Sequence, residues 1–189
     1  MTSLKKVLFA FAIVAFARWH PAWAHELEAD RLTLVQRQDR LVEATWRIDL
    51  PASLHRMFAS QEPYAEFLLR LGAGPLDEAR QLLEKARQRW SAEIAFSTSD
   101  GAKGAWQRWD WPDAGALKAA AQERLMQRLA GGHDHPDPLT IQAQWLAETT
   151  PLTTLKVSVP PALRPLVIVS YRPRQSFMGA NDPTVAIPF

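Results

Sequence analysis

The residues of this sequence best suited to chemistry are histidines. His133 and His135 flank Asp134 in a loop between Gly132 and Pro136. In an extended loop the two imidazoles point to the same side, so both can reach one metal ion, with Asp134 as a third ligand or as an acceptor for an imidazole N–H. Nitrogen ligands of this kind suit copper, nickel or zinc. An ordinary solvated loop is the alternative reading of the same residues.

A further candidate ligand, His25, depends on export. A basic head, an apolar run over residues 7–17 and the small residues Ala22 and Ala24 are typical of a signal peptide with its cleavage site. We therefore predict that residues 1–24 are cleaved, that the protein is periplasmic, and that the mature chain begins at His25. A free α-amino group beside this imidazole can chelate Cu(II) through two nitrogens.

Composition limits the classes of protein to which the chain can belong. Removing the signal leaves 189 − 24 = 165 residues, so we predict one domain over residues 25–189. This mature chain has 22 − 3 = 19 basic residues against 20 acidic ones, and a balance near −1 argues against a nucleic-acid partner. The absence of cysteine excludes disulfides and thiolate ligands. No later apolar run approaches the ~20 residues that a membrane span needs.

Other residues with chemical potential carry weaker signals. The sequence contains no Gly-x-Ser-x-Gly elbow, no phosphate-binding glycine loop and no His-Glu-x-x-His helix. Glu26, Glu28 and Asp30 cluster near the mature start, which is typical of a solvated surface. Residues 170–175 place two cations beside an aromatic ring, which suits either an anion or a structural strand end. We interpret His55 as surface or as a satisfied core residue. An enzyme is therefore not indicated.

Alternating apolar residues predict strands near both ends of the chain. The clearest case covers residues 42–50, with apolar side chains on one face and polar ones on the other. The run 166–169 is continuously apolar, which predicts burial on both faces. We also expect a hairpin in which 94–96 pairs with 106–111. The remaining predicted strands cover residues 30–36, 139–145, 155–159 and 185–189.

Helical periodicity dominates the middle of the chain. We predict a short helix capped by Ser53, a second after Pro63, a third after Pro75, and a fourth capped by Asp113 with Leu129 on its apolar stripe. Strands at both ends and helices between them predict an α+β fold, an antiparallel β-sandwich or sheet with a central helical insertion packed on one face.

The three tryptophans of one predicted strand allow two interpretations. Trp106, Trp109 and Trp111 lie within six residues and could form a platform for a ligand. In a chain with eight tryptophans and no disulfides, use as core and inter-layer packing is the favoured alternative.

Three short motifs carry a resemblance to a known family: AHEL at 24–27, LTL at 32–34 and ATWRI at 44–48. They resemble the exported amino-terminal region of the hydrogenase- and urease-associated metal permeases. The central helices, the histidine loop and SYRPRQ at 170–175 resemble a group of uncharacterised exported proteobacterial proteins. The first resemblance implies a β-sandwich, a connection with transition-metal handling and a match of His25 to the family's initial histidine. The permeases continue into membrane helices, which this sequence lacks, so transport is not implied.

Three functions follow as hypotheses. The first is a periplasmic binding or accessory protein that handles a divalent transition metal for an envelope or inner-membrane partner, with His25, His133, Asp134 and His135 as ligands. The second is a cofactor-free interaction module that offers a sheet edge or its tryptophan-rich strands to another envelope protein. The third is a copper oxidase that uses the amino-terminal histidine as a brace.

Overall fold

The computed structural model describes residues 30–37, 39–98, 101–131, 137–148 and 152–173. These residues form a mixed α and β fold with four α-helices, a five-stranded sheet and a two-stranded sheet. The elements are β1 (Arg31–Gln36), β2 (Leu41–Ile48), α1 (Leu50–Phe58), α2 (Tyr64–Ala73), α3 (Leu76–Glu93), β3 (Ala95–Thr98), β4 (Gly104–Asp110), α4 (Ala114–Leu129), β5 (Leu139–Ala147), β6 (Leu155–Ser158), a 3-10 turn (Pro161–Leu163) and β7 (Val167–Tyr171).

The main sheet has the strand order β4-β5-β2-β1-β7. Three of its four pairings, β4 with β5, β5 with β2 and β2 with β1, are antiparallel as predicted. The fourth differs because β7 lies parallel to β1. The sheet is therefore mixed. The second sheet contains only β3 and β6 among the described residues, so the prediction of an antiparallel sandwich is not met in full.

The alternation predicted for residues 42–50 is confirmed as far as Ile48, where β2 ends, whereas Leu50 begins α1. Val42, Ala44, Trp46 and Ile48 are buried, whereas the residues between them are partly or fully exposed. Strand β5 repeats this pattern with Ile141 and its alternate neighbours. Each of these strands therefore has one face in the core and one toward water, which produces a period of two.

The four helices lie where periodicity places them, with two corrections at their ends. Helix α1 is capped by Asp49 rather than Ser53, because the Asp49 carboxylate accepts the backbone N–H of Ala52 at 3.0 Å while Ser53 is buried one turn inside. The Asp113 cap of α4 is confirmed by the same geometry. Leu129 is 74% exposed, since α4 has by then run past its neighbours in the core.

The buried stripes of the helices and the inner face of the main sheet form one hydrophobic cluster. Trp46 from β2 and Trp90 from α3 lie at its centre, fully buried, with their ring centroids 5.9 Å apart in an edge-to-face arrangement. Because helices and sheet share this one cluster, the described strands are held in place by the helices on a single face.

The predicted hairpin between β3 and β4 is wrong. The turn between them exists, since Thr98 N–H donates to the Ala102 carbonyl at 2.9 Å and Gly101 adopts a positive φ of 86°. This turn carries the chain from one sheet to the other, however, and β3 pairs with β6 while β4 pairs with β5. Phe96 and Trp106 therefore meet between the two sheets, with ring centroids 4.7 Å apart.

The strands predicted near residues 139–145, 155–159 and 166–169 all form. The last of them, β7, is not buried on both faces, because four of its five residues are exposed. The predicted strand over 185–189 and the signal over 1–24 lie outside the described residues. Among the helices of the described part, none is long and apolar enough to cross a membrane.

Candidate functional site

Strand β7 forms an edge of the main sheet, because β1 is its only strand neighbour among the described residues. The backbone N–H of Val167 donates to the Asp30 carbonyl at 2.8 Å, so Val167 directs its hydrogen-bonding groups toward β1. Such groups alternate along a strand. Those of Val169 and Tyr171 therefore also face β1, and those of Ile168 and Ser170 face the outer edge.

The side chains of β7 divide between the two faces of the sheet in the same alternating way. Ile168 stands opposite Leu32, and Ser170 stands opposite Leu34, so both share the inner face with the core. Leu32 is fully buried, yet Ile168, its neighbour on the same face, is 49% exposed. The helices therefore cover the sheet as far as β1 and leave the inner face of β7 open.

A groove of about 530 Å³ lies beneath this open face, and we call it the edge groove. Its floor is apolar, with buried Leu34 and Val42 from the sheet and buried Leu152 from the loop before β6. Val157 of β6 lines the opposite wall. The groove is therefore bounded by two strands, β6 and β7, each with one strand neighbour among the described residues.

The edge groove is almost uncharged. Among the described residues that line it, Arg172 carries the only charge, and it follows directly after β7. The other polar contributors are neutral hydroxyl and amide groups from residues such as Thr153, Thr154 and Gln36. Such a lining suits apolar side chains spaced along an extended backbone, and it offers no cluster for metal binding or acid and base chemistry.

A polar network lies at the opposite end of β1 and β7. Asp30 accepts the backbone N–H of Asp49 at 2.7 Å and lies 3.4 Å from the guanidinium of Arg56. Arg56 also donates to the Ala162 carbonyl at 2.7 Å, and Asp49 forms an ion pair with Arg124. This network joins the start of β1 to α1, to α4 and to the turn before β7, which makes it a structural clamp on the edge strand.

Burial perturbs two titratable groups in and beside this network. Burial raises the pKa of the Asp30 carboxyl, although the N–H of Asp49 and the charge of Arg56 act in the opposite direction. Burial also raises the pKa of the Tyr64 hydroxyl, and the Asp49 carboxylate raises it further. That hydroxyl has no hydrogen-bond partner among the described residues. Neither group lines the edge groove, and burial is the main cause of both shifts.

The tryptophans form an aromatic cluster inside the fold. Trp109 stacks on Trp46 with centroids 5.2 Å apart, and Trp111 meets Trp90 edge to face at 4.8 Å. The indole N–H of Trp106 donates to the Ile94 carbonyl at 3.2 Å. The three tryptophans are partly buried against the core, which favours packing over a ligand platform.

The predicted metal ligands lie outside the described residues. His25, His133, Asp134 and His135 fall in ranges for which no geometry is stated, so metal binding stays a prediction. Within the described ranges, no group of three or more His, Asp or Glu side chains is close enough to hold an ion. His55 is described, and its Nε2 lies 2.7 Å from the Glu62 carbonyl, which confirms a satisfied structural histidine.

Sequence reasoning missed the edge groove. The apolar run 166–169 was the one available signal. Its sequence does not show that the strand lies at the edge of the sheet, because that depends on the strand order. Of the cation-bearing segment 170–175, the described part includes exposed Tyr171 and Arg172, and Arg172 lies at the groove.

No protein family, no curated protein and no solved structure matches this chain. The resemblance to metal permeases and to exported proteobacterial proteins therefore stays a prediction.

Proposed function

We propose that this protein is a cofactor-free interaction module, exported to the periplasm, that binds an extended segment of another envelope protein along the outer edge of β7. The observation that supports this function is that the outward N–H and C=O groups of Ile168 and Ser170 lie directly beside the apolar edge groove. Strand addition uses these two features together, with backbone pairing for affinity and side-chain pockets for specificity.

Among the described residues no strand covers the outer edge of β7, and the composition of this edge is unusual. The sequence of β7 is VIVSY, with no charge and no proline, whereas natural edge strands are blunted by lysine, proline or a bulge. Exposed Val167, Ile168 and Tyr171 add apolar surface on both sides of the strand. An edge strand with these properties is a template for pairing with a further strand.

The energetics favour a ligand that fills the groove as well as pairing with β7. The two outward residues offer up to four hydrogen bonds, each worth about 1 kcal/mol net. Covering the exposed half of Ile168 adds about 1 kcal/mol. Association itself costs at least about 4 kcal/mol. Pairing alone therefore gives weak binding, and apolar side chains of the ligand must supply the rest by entering the groove.

Site-specific photocrosslinking in the native envelope tests this function. A photoreactive side chain at Ser170, on the edge, is compared with one at Gln142, which is exposed on the outer face of β5. We expect a discrete adduct from position 170, unchanged by a chelator, and none from position 142. An adduct that a chelator abolishes would favour the metal function instead, and equal adducts from both positions would rule out the edge.

A further inference from the structure

We propose that the outer edge of β7 in the free protein pairs with β7 of a second copy of the chain, antiparallel and across a two-fold axis. This inference rests on the proposed function, because it assigns what occupies the same edge when no partner segment is bound. The occupant is argued from the outward backbone groups of β7, from the side chains that meet, and from the charges beside the strand.

The outward backbone groups of β7 are self-complementary. They belong to Ile168 and Ser170, which stand symmetrically about Val169, the middle residue of the five in the strand. A two-fold axis at Val169 therefore places Ile168 opposite Ser170 of the second copy, and Ser170 opposite Ile168. Opposed residues of an antiparallel pair exchange both hydrogen bonds when their backbone groups face each other. One register therefore aligns all five residues and satisfies every outward group.

The side chains that meet on the outer face of the sheet are β-branched or aromatic. Val169 lies opposite its own equivalent at the axis, and Val167 lies opposite Tyr171 of the second copy. Val167 and Tyr171 are 38% and 58% exposed, so each has apolar surface that the second copy can cover. Cross-strand pairs of these residue types stabilise a sheet. The outer face of β7 therefore matches itself as well as the backbone does.

Charge does not oppose this pairing. Strand β7 carries no charged residue, so no like charges meet along the two strands. Arg172 follows directly after β7, and in this register it lies about 20 Å along the strand direction from its equivalent. That separation exceeds the screening length of about 8 Å at physiological ionic strength. The two arginines therefore do not repel each other appreciably.

Self-pairing leaves the edge available to a partner segment that fits the edge groove. On the inner face, the second copy's strand brings one apolar side chain, that of Ile168, to a groove whose floor contains buried Leu34, Val42 and Leu152. A segment with several apolar side chains covers more of this floor and binds more tightly. We therefore expect a dimer that dissociates on dilution and that a partner segment displaces.

Single cysteines test the axis directly, because the chain contains no cysteine of its own. Val169→Cys places two thiols opposite each other at a Cα separation of about 4.5 Å, which a disulfide can span. Val167→Cys is the matched control on the same face, with its equivalent about 14 Å away. With diamide as the oxidant, we expect the disulfide-linked dimer to form at least tenfold faster from Val169→Cys than from Val167→Cys.

A charge swap at the axis provides a second test that does not depend on oxidation. Val169→Lys and Val169→Glu each place like charges opposite each other, so each variant alone should stay monomeric in light scattering at concentrations at which the wild type dimerises. Mixing the two variants should restore the dimer. Equal disulfide rates from the two cysteine variants would overturn the proposal, as would a wild type that stays monomeric up to its solubility limit.

These outcomes are separate from the proposed function, because the mass of the adduct from position 170 identifies what was captured. An adduct of twice the mass of the chain contains a second copy, and an adduct of any other mass contains a partner. A partner adduct without the Val169→Cys disulfide keeps the function alone. The disulfide without a partner adduct, even when Val169→Lys prevents self-pairing, keeps the inference alone.

Discussion

Two neighbouring proline substitutions in β7 test which way its backbone faces. Val169 directs its N–H toward β1, where the alternation places it opposite the carbonyl of fully buried Leu32. Val169→Pro removes this hydrogen bond, worth about 1 kcal/mol, and leaves a buried carbonyl without a partner, at a cost of about 2 kcal/mol. We therefore expect the free energy of unfolding to fall by about 3 kcal/mol.

Ser170→Pro is the matched change at the next residue, where the N–H faces the outer edge. It removes at most the one bond to an added strand, so the expected loss is about 1 kcal/mol or less. Urea denaturation followed by tryptophan fluorescence measures both variants, because the aromatic cluster reports on the core. If the two prolines destabilise the protein equally, or if Ser170→Pro is the more harmful, the assigned orientation of β7 is wrong.

Three further predictions concern the clamp and the metal hypothesis. Asp49→Ala should lower the free energy of unfolding by about 2 kcal/mol, half from the lost helix cap and half from the lost ion pair with Arg124. Asp49→Asn should lower it by about half as much, because asparagine can still cap the helix. Equal losses in urea denaturation would refute this division. Folding raises the pKa of the Asp30 carboxyl, so the stability that this carboxyl contributes is full below the ordinary value of 3.8 and is lost as pH rises through the raised pKa. Asp30→Asn should remove this decline from a plot of the free energy of unfolding against pH. An unchanged plot would contradict the assignment. If the metal hypothesis holds, calorimetry of the mature protein with Cu(II), Ni(II) and Zn(II) should show binding that alanine at His133 or His135 weakens at least tenfold. Binding of the same affinity in both variants would refute the proposed ligands. The absence of binding would refute the hypothesis.

Local patterns predicted the elements well where one face meets the core and the other meets water. In β2 the contrast between Trp46 and its polar neighbours Thr45 and Arg47 fixes both the strand and its buried face. Helix α4 was predicted from Asp113 and the apolar spacing that follows, for the same reason. These signals are local, so a single sequence carries them.

The strand order could not be predicted, because it depends on contacts between residues far apart in the chain. The turn at Gly101 looks like a hairpin in sequence, yet β3 pairs with β6 and β4 pairs with β5, so Phe96 and Trp106 face each other between the two sheets. The apolar run of β7 has the composition of a central strand, and only its position beyond β1 exposes Ile168. The candidate site is a consequence of that position, so the sequence alone does not reveal it.

The central claim is that the outer edge of β7 receives an extended strand from a partner. Amide exchange measured on the partner complex tests it most directly, with the free protein as reference. We expect the amides of Ile168 and Ser170 to become protected by at least tenfold, while those of Val169 and Tyr171 keep the protection that β1 already gives them. A complex in which Ile168 and Ser170 exchange as fast as in the free protein, with protection appearing elsewhere, would contradict the claim.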